Sequence, residues 1–200
     1  MTSPRIVDSG GAGFHTVKAS AVRPDNNRCM EPVKVVVAGP AGAGKSTLVR
    51  TIADMTVRST DPQGNKFDLG RITIGRDLVL YLYGAPDEPD EMGGWTSMAA
   101  GMLGSIVVVD GSRPDGPSRA CGHAQWFAEQ PAPMLVAANR CPPDAVPVVA
   151  RDLGVPIESV RALDCTDRAA VRDLVVSVLE AALTAAQPTA VSREIQARLG

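Results

Sequence analysis

The chain is poor in aromatic side chains, which make up 4% of its 200 residues, so its core must be built from Val, Leu, Ile and Ala. It carries no excess of either charge: 20 Lys and Arg stand against 22 Asp and Glu. A general nucleic-acid binder, which needs a basic stripe, is thereby disfavoured. No apolar run approaches the roughly 20 residues that a membrane-spanning helix requires. The two histidines, His15 and His123, have no metal-ligand spacing, and none of the cysteines at 29, 121, 141 and 165 forms a C-x-x-C pair. Isolated thiols in a chain without the charged-then-apolar start of a secretory signal fit a reducing, cytoplasmic setting, with the thiols inert.

What is present is a strong alternation of apolar runs and helical patterns. Residues 1–31 are rich in Gly, Ser, Pro and Asn without a period and read as a flexible extension, in which Met30 is a plausible alternative start. Residues 32–187 read as one domain and 188–200 as a short tail. PVKVVVAG (32–39) predicts a buried strand, and KSTLVRTIADM (45–55) a helix. Two strands are expected over 66–75 and 77–84, joined by a hairpin at Gly-Arg-Asp. Further strands are expected at 105–111, 132–140 and 160–164. Helices are expected at 94–103, 118–130, 144–154 (interrupted by proline) and 167–186. Near-continuous Val and Leu strands between helices indicate an α/β fold: a mostly parallel sheet with one antiparallel strand and helices on both faces.

GPAGAGKST (39–47) matches the phosphate-loop pattern G-x-x-x-x-G-K-[ST] between a strand and a helix. Gly39, Pro40, Ala41, Gly42, Ala43 and Gly44 let backbone N–H groups converge on phosphate. Lys45 reaches the β- and γ-phosphates, and Ser46, followed by Thr47, offers a hydroxyl to Mg²⁺. A hairpin directly after the first helix favours Ras-like P-loop architecture over nucleoside kinases, which place a helix there. A P-loop kinase or ATPase is the weaker alternative.

The stretches PVKVVVAGPAGAGKSTLVRTI, FDLGRITI, LVLYLYGAP, SIVVVDGSRP and PMLVAANR together resemble, in that order, the bacterial Ras-like GTPases of the MglA and conservon type, over about residues 33–186. The resemblance implies a small switch binding GTP or GDP with Mg²⁺. It also implies a roadblock-type regulatory partner, and in some members a sensor-kinase-like or pentapeptide-repeat protein. Its threonine pair before the FDLG strand falls on Gln63 and Gly64 here, leaving Thr60 as the nearest candidate metal ligand. Its G-T-P-G-Q turn reads Gly84-Ala85-Pro86-Asp87-Glu88, so Asp87 and Glu88 stand where a glycine and the water-orienting glutamine would act. Hydrolysis is therefore expected to be slow, and a pseudo-GTPase that never cycles is the alternative. For the base, Asn139 and Arg140 match the start of N-K-x-D, Pro142 replaces its aspartate, and Cys165 and Thr166 lie in the loop expected to meet the base. Asn139 simply capping a turn before Pro142 is the competing reading. Trp126 and Phe127 are expected to pack on the sheet, Trp95 to pack or meet a partner, Asp110 to cap a turn, and His123 to pack or lie on the surface.

Overall fold

The computed structural model describes residues 31–60, 66–74, 78–87 and 94–186. Its strands are β1 (Glu31–Ala38), β2 (Met55–Thr60), β3 (Lys66–Ile74), β4 (Leu78–Gly84), β5 (Gly104–Asp110), β6 (Met134–Asn139) and β7 (Val160–Leu163). The helices are α1 (Lys45–Ile52), α2 (Gly94–Ala99), α3 (Gly116–Ala128), α4 (Val146–Leu153) and α5 (Arg168–Ala186). The strands form one sheet in the order β2-β3-β4-β1-β5-β6-β7. Only β3 runs against the rest: it is antiparallel to β2 and β4, while β1 pairs parallel with β4 and β5.

Central strands are buried on both faces, which is why they read as unbroken apolar runs. Val35 and Val37 of β1 point into a core closed by Leu48 and Val49 of α1 and Val171, Leu174 and Val178 of α5. Val36 and Ala38 point the other way, to Ala120, Ala124 and Phe127 of α3 and Val149 of α4. Each fully buried Val or Leu contributes about 1.5–3 kcal/mol relative to exposure, so the aliphatic sheet core replaces the missing aromatics. Among the described residues, no helix is long and apolar enough to cross a membrane.

The structure departs from the sequence expectations in several places. The first helix stops at Ile52, where Ala53 turns to extended backbone (φ −66°, ψ 142°), and the next residues form β2. β-branched Thr56, Val57 and Thr60 favour this extended form, and pairing from Met55↔Arg71 to Thr60↔Lys66 fixes it. Pro147 does not interrupt a helix. A 3-10 turn at Pro143–Ala145 precedes α4, whose first turn accommodates Pro147 because N–H groups there have no intrahelical acceptor. α2 ends at Ala99, and Gly101 (φ 70°) turns the chain toward β5. The expected hairpin is closed by pairing of Ile74 with Leu78, although residues 75–77 themselves lie outside the described set. So do most of the expected N-terminal extension, the C-terminal tail, Gln63, Gly64, Glu88, Asp90 and Glu91.

Candidate phosphate-binding site

β1 runs up the middle of the sheet and delivers residues 39–44 to its carboxyl edge, where open α/β sheets bind ligands. Gly39, Gly42 and Gly44 have φ of 136°, 79° and 118°, values that L side chains rarely adopt. Space matters as much as conformation. A Cβ at Gly39 would lie 2.3 Å from the Val108 carbonyl oxygen, and one at Gly44 would lie 2.6 Å from Asn139 Nδ2. The loop thus threads between β5 and the end of β6. It opens into α1, whose first N–H groups lack helical acceptors and form an anion-binding end.

A cavity of about 350 Å³ lies over this end. Lys45, Ser46 and Thr47 line it from α1, Arg58 from β2, Asp68 from β3, and Asp87 from the turn after β4. The Lys45 ammonium donates to the carbonyls of Gly39 (2.6 Å) and Pro40 (3.2 Å) and to Asp87 Oδ1 (2.6 Å). Arg58 faces Asp68 across the cavity wall, with Nε 3.4 Å from Oδ1. Ser46, the expected metal ligand, lines the cavity from the first turn of α1. Thr60 ends β2 opposite Lys66, exposed, and is not among the residues that line the cavity.

Pro86 and Asp87 are held by their backbone carbonyls. The Trp95 indole N–H donates to Pro86 O (3.3 Å), and His123 Nε2–H donates to Asp87 O (2.7 Å). Trp95 and His123 are 4% and 6% exposed, their rings 4.7 Å apart, and Trp95 also meets Trp126 and Phe127. Of the two expectations for Trp95, the structure shows packing. Likewise His123 is no surface residue but a buried strut of the turn. A lone histidine on a helix carries no local sign of such a role.

Burial pushes the His123 pKa down, opposed in part by its bond to the Asp87 carbonyl. In the unfolded chain the His123 side chain protonates at about pH 6.5. The unfolded chain therefore takes up the proton first as pH falls, so this contribution is complete above roughly pH 7 and is lost as pH drops through that value toward the lower folded-state pKa. Denaturant melts at pH 7.5 and 5.5 should show a larger loss for the native protein than for His123→Gln. Equal losses would refute the assignment.

On the other flank, buried Asn139 joins two loops: its Nδ2 donates to Ala43 O (2.9 Å) and its Oδ1 accepts from Cys165 N (3.0 Å). Asn139 therefore does not merely cap a turn before Pro142. Arg140 adopts φ 57°, unusual for a non-glycine residue, and its guanidinium bridges Asp110 Oδ2 (2.7 Å) and Gly42 O (3.4 Å). Arg119, which the sequence reading left without a role, donates to Ala41 O (3.2 Å). Burial pushes the Asp110 carboxyl up, but bonds from Ser112 and Arg140 more than offset it and hold the pKa below the usual value. The Ser112 bonds are the turn cap expected for Asp110. Thr166 gives both its N–H and its hydroxyl to Asp164 Oδ1, at 2.8 and 2.7 Å. The Cys165 thiol is pushed up to about 12 by burial, which keeps it a protonated, unreactive thiol at neutral pH.

The sequence matches no protein-family model and none of the curated proteins. Its fold is similar to solved structures of the T. maritima FeoB iron transporter. The isolated G domain aligns with a TM-score of 0.58 at 18% identity, over 76% of this chain and 99% of that one. The FeoB cytosolic domain in a GDP form gives 0.58 at 16% identity, over 80% of this chain and 66% of that one. The GMPPNP form gives 0.56 at 16%, over 75% and 64%. The chain thus spans nearly all of the G domain but just under two thirds of those cytosolic-domain structures. The fold is that of a P-loop G domain, a mostly parallel seven-stranded sheet with helices around it.

Proposed function

We propose that the chain is a guanine-nucleotide-binding switch of the bacterial Ras-like, MglA and conservon type, acting in the cytoplasm and hydrolysing GTP slowly. The observation that carries this reading is the glycine cradle of residues 39–44 with Lys45 at its mouth, set at the carboxyl edge of the sheet. Supporting it, two of the similar FeoB structures are a GDP form and a GMPPNP form. Pro40, Ala41 and Ala43 complete the loop, and Asn139, Arg140, Cys165 and Thr166 form the flank nearest the base. Mg²⁺ takes hard oxygen ligands and keeps several waters. The Ser46 hydroxyl and Asp68 carboxylate line one cavity and fit it. Bound there, the ion would neutralise charge on the β- and γ-oxygens. Thr60 remains a second candidate ligand only if the end of β2 shifts toward the cavity. The partner, roadblock-type by resemblance, is proposed to read residues 58–70 and 84–98.

Asp87 supports slow hydrolysis. A carboxylate and a phosphate charge 4–5 Å apart repel by about 3–4 kcal/mol per charge pair at an effective dielectric near 20. Because Asp87 already neutralises Lys45, a non-cycling interaction module is the second reading.

Calorimetry with GDP, GTP and ATP, with and without Mg²⁺, tests both. Guanine nucleotides should bind well below millimolar, and ATP more weakly. Absence of guanine binding in that range would end the switch reading. Converting Asp87→Gly together with Glu88→Gln should raise GTP hydrolysis. An unchanged rate would show that these acids are not what limits it.

A further inference from the structure

We propose that Asp87 makes this site selective for a nucleoside diphosphate over a triphosphate. The inference rests on the nucleotide reading above and goes beyond slow hydrolysis to which nucleotide is held. An ammonium has three N–H donors. In Lys45 they go to Gly39 O, Pro40 O and Asp87 Oδ1, so the cation is already satisfied by the chain itself. Lys45 is 11% exposed and Asp87 is 55% exposed, so the carboxylate approaches from the open side of the cavity. That is the side from which a phosphate beyond the β position would approach.

Three elements fix the backbone that carries this carboxylate. Ala85 N–H donates to Val37 O of β1 at 2.8 Å, the Trp95 indole donates to Pro86 O, and His123 donates to Asp87 O. Asp87 is therefore not a loose surface charge. A β-phosphate is met chiefly by the backbone N–H groups of the loop and start of α1. A γ-phosphate brings further negative charge up to Lys45 and must either expel Asp87 or sit against it. Because Coulomb repulsion falls with distance, the penalty on the triphosphate exceeds that on the diphosphate.

The test measures dissociation constants of GDP and GMPPNP with Mg²⁺, by calorimetry on the full chain, for the native protein, Asp87→Asn and Asp87→Gly. The native protein should favour GDP by about tenfold or more, and both variants should cut that preference by about tenfold, mainly by tightening GMPPNP. Near-equal native affinities, or a preference unchanged in both variants, would overturn the proposal while leaving nucleotide binding intact. Failure of every form to bind either nucleotide would instead overturn the underlying nucleotide reading. Because Asp87 is half exposed, Asn is expected to leave the fold unchanged, and near-ultraviolet circular dichroism would verify this.

Discussion

Gly39→Ala should be strongly destabilising for a single added methyl, lowering stability by about 3–5 kcal/mol. Two independent costs add. The φ of 136° is unsuited to an L residue, and the new Cβ would sit 2.3 Å from Val108 O. That oxygen is backbone of β5, locked between β1 and β6, and cannot step aside. Gly42→Ala provides the contrast. Its φ of 79° is also positive, yet nothing lies within 4 Å of the added carbon. About 1 kcal/mol is expected there. Denaturant unfolding of the two variants checks the difference, and equal losses would mean that packing against β5 is not what holds the loop.

Asn139→Ala should cost about 2–4 kcal/mol and weaken GDP binding at the same time. The amide satisfies the Ala43 carbonyl and the Cys165 N–H at a position only 4% exposed, so truncation strands both partners out of water. Ala43 belongs to the phosphate loop and Cys165 to the loop after β7, so both would loosen together. Asn139→Asp separates the two roles: its oxygen can still accept from Cys165 N–H, but it faces the Ala43 carbonyl with a lone pair instead of a donor. Urea melts and calorimetry on both variants would show loss of stability and affinity in parallel. Native affinity in a destabilised Asn139→Ala would refute the link.

The architecture was legible where one residue's environment is set by its near neighbours. β1, β5 and β6 announced themselves as apolar runs because both their faces are buried. The phosphate loop did so because its glycines and lysine are contiguous. β2 was not legible. MTVRST has only local β propensity, and its strand character comes from β3, whose partner residues lie up to 16 positions away (Met55 with Arg71). The site was half legible for the same reason. Lys45 and Ser46 could be named from the motif, but the contact of Lys45 with Asp87 joins residues 42 positions apart. Asp68 appeared only as part of a family motif, and its place in the cavity depends on the register of β3 against β4. His123 and Trp95 carry no local signal for holding a turn, because each acts on a backbone carbonyl, which every residue has.

The way β1 is inserted in the sheet has a kinetic consequence. The β2-β3-β4 ribbon joins strands that follow one another directly, so its loops close at little entropic cost. β1, by contrast, must find Leu78–Gly84 on one side and Gly104–Val107 on the other before its register is set. Gly39 gains its close neighbour, Val108, only after that long-range step. The close contact that shapes the start of the loop therefore depends on the assembled sheet, and the loop is expected to take its final form late in folding, not with the glycines themselves.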